Sequence, residues 1–319
     1  MSEALLQQTQ VSRVVERFGE FKQRFPTPAA MVKAGERSVL QAWRGMGYYR
    51  RARSLYAAAC VITRIHSGRV PRTVVELLTL PGVGRYTAGA VASIAFEQHE
   101  PIVDGNVARV LSRLADRRAS VHDRLGQAWC WNQATHLVMQ AKNAGRMNEG
   151  LMELGATVCT PHQPKCSECP LRAKCKSFAN QSQDRVPPPK PGLKKTAVVF
   201  HALVQIKNGR VGLQQRPTGL WKGLLAPPVI ESAKRLPLKV IQHRADPVKV
   251  KLEIASFEFL TTHRRVRFVV YEAMFPSTTP MEWIRLKDLG DQAVSSATIQ
   301  VVDAARGQHR CQADKLQTK

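Results

Sequence analysis

Four thiols and two carboxylates in this chain are of types and spacings that could do chemistry. Cys159, Cys166, Cys169 and Cys175 follow one another as Cys-x6-Cys-x2-Cys-x5-Cys. Thiols so crowded can converge on a group that binds sulfur, a tetrahedral zinc ion or an iron-sulfur cluster, and the spacing alone does not separate the two. Asp104 precedes a helical pattern as its N-cap, with Asn106 as a hydrogen-bond partner, and Glu3 falls in the first turn of another helix. An acid at a helix start can serve the dipole alone. Two carboxylates in unlike environments can also break a glycosidic bond, one protonating the leaving group and the other stabilising a cationic transition state.

Several elements must position these groups. From Leu80 the chain reads Leu-Pro-Gly-Val-Gly-Arg-Tyr-Thr-Ala-Gly-Ala, so Pro81, Gly82 and Gly84 directly precede the helical spacing of Ala88, Val91, Ala92 and Ala95. That predicts a tight hairpin opening a helix, with backbone N–H groups left for an anion such as a DNA phosphate. Apolar residues recur at three and four spacing in 5–25, 38–43, 49–65, 74–78, 107–114, 125–139 and 147–158. An all-α domain is expected over 1–178, with the hairpin at 80–96 and the cysteine loop at 159–175. Residues 179–195 turn to Gln, Ser, Pro and Lys and read as a linker. Beyond it, β-branched and aromatic runs at 197–206, 211–215, 252–260 and 266–275, with a helix at 295–305, predict an α+β domain over 196–305. Residues 306–319 read as a disordered polar tail.

Composition points to the partner. Among 319 residues, 48 Lys and Arg oppose 24 Asp and Glu, for a formal charge of +24. A polyanion is the expected ligand, with nucleic acid ahead of a membrane surface. No run of uninterrupted apolar residues is long enough to span a bilayer, and the first residues, Met-Ser-Glu-Ala-Leu-Leu, do not form a signal peptide. A cytoplasmic protein with no membrane partner is expected. Seven cysteines, four of them clustered, argue against a disulfide scaffold. Cys60 and Cys130 fall on helical faces as small buried hydrophobes, and Cys311 lies outside the quartet.

The hairpin, the Val-Asp-Gly-Asn-Val segment and the cysteine quartet together resemble the helix-hairpin-helix DNA glycosylases that carry a [4Fe-4S] cluster. Within that superfamily the chain is similar to the MutY-type adenine DNA glycosylases. The stretches that carry this are Glu-Ala-Leu-Leu-Gln-Gln-Thr-Gln-Val from Glu3, Gly-Met-Gly-Tyr-Tyr-Arg-Arg-Ala-Arg from Gly45, Pro-Ile-Val-Asp-Gly-Asn-Val from Pro101 and Leu-Gln-Gln-Arg-Pro-Thr-Gly-Leu-Trp from Leu213. The resemblance implies a two-domain protein: a helix-hairpin-helix glycosylase domain with an iron-sulfur loop, followed by a Nudix-like domain that recognises 8-oxoguanine. It implies one [4Fe-4S] cluster, with zinc the second choice, and a monomer acting on chromosomal DNA, nuclear or mitochondrial in a eukaryote.

By the same resemblance Glu3 protonates the adenine ring of an extruded nucleotide, Asp104 stabilises the sugar cation and Asn106 orients Asp104. The resemblance implies hydrolysis of adenine opposite 8-oxoguanine or guanine in duplex DNA; Tyr86 stands where the endonuclease III type carries a Schiff-base lysine, so strong lyase activity is not expected and Tyr86 would instead help hold the reacting nucleotide. Gln7, Gln8 and Tyr48 or Tyr49 match residues that enter the base stack. Arg50, Arg51 and Arg53 would meet phosphates, and Gly82, Gly84 and Arg85 belong to the DNA-gripping hairpin. Thr262 and His263 preserve a hydroxyl and an imidazole for the lesion, while Thr261 replaces the family's Phe. The span 231–250 offers only Glu231 and Asp246 where a working Nudix hydrolase holds magnesium through several Glu, so a binding module is expected there. Glu3 is the third residue, where the family has a longer preceding segment, and an acid so placed is expected to be poorly pre-organised. Two other readings follow from these departures: an endonuclease III-like pyrimidine-lesion glycosylase and lyase, or a catalytically impaired iron-sulfur DNA-binding protein.

Overall fold

Small and apolar residues at helical spacing wind the first part of the chain into short helices, and β-branched runs build the second part as a mixed sheet. The computed structural model describes residues 1–317 except 8, 10 and 191–194, with side chains described to residue 307. It divides into two units, Met1–Lys33 with Arg50–Gly192, and Ala34–Tyr49 with Leu193–Lys319.

The helical unit runs through α1 (Ser2–Leu6), α2 (Val11–Arg24), the start of α3 (Pro28–Ala42), α4 (Arg50–Ile65), α5 (Val74–Leu77), α6 (Arg85–Ala90), α7 (Gly105–Ala115), α8 (Arg124–Gln140), α9 (Ala144–Glu153) and α10 (Lys176–Ala179). Helix α3 is interrupted at Gly35, whose φ of 81° breaks the helical path near the change of unit. Helices α6 and α9 each run on into one wider, π-helical turn, Val91–Ala95 and Leu154–Val158. Val107, Val110 and Leu111 of α7 pack with Ile102, Val121, Cys130, Ala134 and Leu151 in one core. Ala88 and Ala92 let α6 close against Ala58, Ile62 and Leu77 in a second.

The second unit has two sheets. The larger has the order β5-β1-β7-β6, from β1 (Thr196–Val204), β5 (Val229–Ser232), β6 (Lys249–Leu260) and β7 (Arg264–Met274). Strands β1 and β7 pair in parallel, and both outer pairings are antiparallel. Strand β7 is central and is covered on both faces. Val266, Phe268 and Val270 face a core with Val301 and Val302 of α12 (Ser296–Gln317), while Val269, Tyr271 and Ala273 face Ile241 and Ala245 of α11 (Leu238–Ala245). The smaller sheet joins β2 (Ile206–Lys207), β3 (Arg210–Gln215), β4 (Leu225–Ala226) and β8 (Glu282–Arg285).

Three expectations from the sequence are corrected. Residues 34–49 group with the second unit, so the helical domain does not run unbroken over 1–178. The expected linker begins late: Val186 is buried, and its carbonyl accepts Arg113 Nε at 2.8 Å. Asp116, in the left-handed conformation that ends α7, draws the preceding segment in. It accepts from Ser177 Oγ at 3.2 Å, from Asn180 Nδ2 at 2.8 Å and from the Ser182 hydroxyl, and these donors pull its pKa down to about 2. Lastly, α12 continues to Gln317 through residues expected to form a disordered tail. Ala, Arg, Gln, Lys and Leu there are good helix formers, and a polar composition alone does not separate a helix from a coil.

The hairpin turn at 81–84 forms as the Gly spacing predicts. Gly82 has φ 77°, and a Cβ built there would lie 2.3 Å from Ser54 Cβ of α4. A Gly82→Ala substitution is therefore expected to cost about 2 kcal/mol or more, from the left-handed strain and the overlap together. Denaturant unfolding against the parent protein measures it.

Candidate active site

The site assembles at the N-terminal end of α7. Asp104 is the N-cap, in extended backbone, and its side chain closes the helix: Oδ1 accepts from Val107 N at 2.7 Å and Oδ2 from Asn106 Nδ2 at 3.0 Å. Such a cap contributes about 1 kcal/mol. It also fixes the carboxylate. Asn106 is itself oriented, because its Oδ1 accepts from Arg109 Nη2 at 2.8 Å. The Arg109 guanidinium further donates to the carbonyls of Gly155 and Cys159, each at 2.7 Å. A Cβ on Gly155 would fall 2.7 Å from Asn106 Cβ, so only glycine lets that turn approach α7 this closely.

Glu3 reaches the same place from the other end of the sequence. It is half-buried on α1. Burial raises its pKa above the ordinary carboxylate value and the nearby Asp104 charge adds to the rise, while hydrogen bonding from the Tyr86 hydroxyl opposes it. The Tyr86 hydroxyl also lies 3.2 Å from Met152 Sδ, and its own pKa is pushed up by burial and by the two carboxylates. Residues 3, 86 and 104 thus share one environment. Helix α1 is anchored on both sides of its end: Leu5 is wholly buried, and Gln7 Nε2 donates to Thr87 Oγ1 of α6 at 3.0 Å.

The remaining expected contacts divide. Gly82, Gly84 and Arg85 are exposed together at the hairpin, and the Arg85 guanidinium stacks 3.8 Å from the Trp131 ring centroid. Arg50 is exposed at the start of α4. Arg51 is not an exposed phosphate ligand, because its guanidinium donates to the Ala4 and Leu5 carbonyls. Gln7 is engaged with Thr87, and Gln8 lies outside the described residues. In the second unit Tyr48 is exposed, with φ 47°, and its hydroxyl meets that of Thr262. Tyr49 is buried with its hydroxyl on the Val294 carbonyl at 3.2 Å, which corrects its expected place at the DNA surface.

Thr262 and His263 form the exposed tip of the β6–β7 hairpin. Thr261, which replaces the expected Phe, closes that tip: its Oγ1 accepts from Arg264 N at 2.9 Å. A phenylalanine offers no such acceptor. Helix α11 contains no carboxylate, so this helix could not hold magnesium as a Nudix helix would.

The four cysteines are free thiols, each partly buried, around two short 3-10 turns. Burial pushes the Cys166 thiol pKa up, and the sulfurs of Cys159, Cys175 and Cys169 push it the same way, so Cys166 lies within electrostatic reach of the other three. Arg113 organises the loop from α7. Its Nη1 lies 3.3 Å from Cys159 Sγ and 2.7 Å from the Thr160 carbonyl, and its Nη2 donates to the Pro161 carbonyl at 3.1 Å. Among the described residues, no three His, Cys, Asp or Glu side chains are gathered closely enough to hold a single metal ion. Four unpaired thiols with a cationic neighbour fit a sulfur-ligated group in the chemistry of their donors.

Sequence reasoning missed Arg109, Arg113, Met152 and Gly155. The signal available was the spacing of Asn106, Arg109 and Arg113, which lie on one helical stripe of α7.

The sequence and the helical fold have counterparts among known proteins. Residues 1–125 match the HhH-GPD superfamily base excision DNA repair protein. The adenine DNA glycosylase of Mus musculus is 41% identical over 201 residues, covering 62% of this chain and 39% of that protein. The adenine DNA glycosylase of Buchnera aphidicola subsp. Baizongia pistaciae is 32% identical over 231 residues, covering 72% of this chain and 65% of that protein. The chain spans 34% to 39% of the length of the mammalian relatives it matches. Among solved structures, that of a thermostable thymine-DNA glycosylase overlays with a TM-score of 0.50 at 27% identity, over 56% of this chain and 82% of that one. The helical unit carries the HhH-GPD glycosylase fold. Members of the HhH-GPD superfamily often bind a [4Fe-4S] cluster.

The electrostatics of Glu3 can be tested without a substrate. A carboxyl NMR titration is expected to place its midpoint above the ordinary value. Asp104→Asn should lower that midpoint by removing a negative neighbour, and Tyr86→Phe should raise it by removing a donor. Shifts in the opposite senses would contradict the geometry.

Proposed function

We propose that the protein is a monofunctional adenine DNA glycosylase of base excision repair, hydrolysing the N-glycosidic bond of adenine paired with 8-oxoguanine or guanine in duplex DNA. The observation that carries this reading is the meeting of two carboxyls in unlike surroundings. Glu3 is buried enough to keep its proton to higher pH, and Asp104 is held at the α7 N-terminus with both oxygens on N–H donors. Glu3 gives its proton to a ring nitrogen of the extruded base, the sugar–base bond breaks with its electron pair going to adenine, and Asp104 stabilises the sugar cation. A water oxygen then takes the base's place on the sugar, and its released proton returns to a carboxylate.

Tyr86 carries no amine, so this position cannot form a Schiff base. The +24 formal charge and the exposed glycines and Arg85 of the hairpin favour double-stranded DNA as the partner. The adenine DNA glycosylase relatives support adenine as the base removed. In the second unit, the exposed tip with Thr262 and His263 is the candidate contact for the damaged base, in a Nudix-like domain without hydrolase function.

Cys159, Cys166, Cys169 and Cys175 would hold one [4Fe-4S] cluster, whose ligation would supply a structural tether to the loop that Arg113 and Arg109 grip.

Glu3→Gln and Asp104→Asn are each expected to abolish single-turnover excision of adenine from such a duplex while leaving binding largely intact; substantial turnover by either would overturn the assignment. Excision should fall as pH rises through the elevated Glu3 pKa, because the acid is lost there. The cluster has its own check: iron and sulfide analysis of the purified protein, with Cys169→Ser expected to remove both. A colourless, zinc-loaded, active protein would refute the cluster.

A further inference from the structure

Helix α1 is only five residues long, and a helix of that length has no stability of its own in water. Backbone N–H groups reach the carbonyls of Glu3 and Leu6, from Gln7 and Thr9, but the carbonyls of Ala4 and Leu5 at the end of so short a helix need other partners, and among the described residues no side chain caps its start. Yet this helix bears the acid on which the proposed chemistry rests. One side chain from another helix supplies what α1 lacks. Arg51, in the first turn of α4, donates Nη1 to the Ala4 carbonyl at 3.0 Å and to the Leu5 carbonyl at 3.1 Å, and Nη2 to Thr9 Oγ1 at 2.7 Å. The two carbonyls belong to the residues directly after Glu3, and Thr9 lies just past the helix end. A cation here also complements the negative end of the helix dipole.

We propose that Arg51 is a positioning residue for Glu3: its guanidinium, fixed on α4, grips the end of α1 and sets where the Glu3 carboxyl stands relative to Tyr86 and Asp104. The inference rests on Glu3 being the acid. The planar fork matters, because one nitrogen bridges two carbonyls while the other reaches the hydroxyl, and a lysine ammonium is a single point that cannot span all three. Leu5 and Gln7 hold α1 as well, through burial and through Thr87. Neither engages the helix's terminal carbonyls through its side chain.

The test compares Arg51→Ala, Arg51→Lys and Glu3→Gln in the full chain. Two quantities are measured on a duplex with adenine opposite 8-oxoguanine: the single-turnover excision rate at saturating enzyme, and the dissociation constant as a function of salt on a non-cleavable analogue. Arg51→Ala is expected to lower the rate about a hundredfold, the cost of a misplacement near 1 Å, with affinity and its salt slope unchanged. Arg51→Lys should lose part of the rate, and added guanidinium ion should restore part of the activity of Arg51→Ala. If the saturating rate is retained while affinity drops and the salt slope falls by about one, Arg51 is a phosphate contact and the proposal is wrong. Should Arg51→Ala fail to fold, Arg51→Lys decides: a parental rate overturns the proposal, and a reduced rate with parental affinity supports it. Turnover by Glu3→Gln would instead remove the acid assignment itself, whatever the Arg51 variants do.

Discussion

Helix α7 is the constraint on which the rest of the helical unit depends. Its period of 3.6 residues sorts the sequence into two stripes. Val107, Val110 and Leu111 turn inward to the core, while Asn106, Arg109 and Arg113 form a polar line that ends at Asp116. Along that line the helix does four jobs in sequence. Its cap is the Asp104 carboxylate, its first turn orients that carboxylate, its middle gathers the carbonyls of residues 155, 159, 160, 161 and 186, and its end pins the segment at 177–182. The cysteine loop and the candidate active site are therefore mounted on one rigid rod.

Much of this was legible in the sequence, and what was not has a physical cause. Apolar periodicity located α4, α5, α7, α8 and α9, because burying a stripe leaves a record in residue order. The Gly82 and Gly84 turn was legible because few residue types tolerate a φ of 77°. The arginines were not legible. A guanidinium binds a phosphate and a main-chain carbonyl with the same N–H groups, so a basic chain suggests solvent and DNA for every arginine alike. Arg51, Arg109 and Arg113 instead serve carbonyls, most of them more than forty residues away, and the shared stripe of Arg109 and Arg113 on α7 does not say which groups they meet. Tyr48 and Tyr49 show the same limit: identical neighbours in sequence, one exposed and the other buried on Val294.

The second unit repeats the lesson with strands. A central strand covered on both faces reads as a continuous apolar run, and Val266–Tyr271 does so apart from Arg267, whose Nη2 bonds Glu258 on the edge strand at 3.0 Å. Helix α11 escaped notice because its apolar face is narrow, Ile241 and Ala245 being its buried residues. Thr261 changes meaning once its hydrogen bond is seen. Its hydroxyl ties the hairpin tip to Arg264 and leaves Thr262 and His263 as the exposed side chains of that tip.

The proposed glycosidic site places its two carboxyls under separate control. Asp104 is governed from α7 through Asn106 and Arg109, and Glu3 is governed from α1 through burial, Tyr86 and the hold of Arg51. Separate control is what the chemistry asks for, since a proton donor and an anionic stabiliser must differ in environment while remaining close. Tyr86 stands in the field of both Glu3 and Asp104. It acts on the two unequally, because its hydroxyl steadies the ionised Glu3 and opposes the rise that burial gives that carboxyl, whereas Asp104 and Tyr86 meet only through their charges.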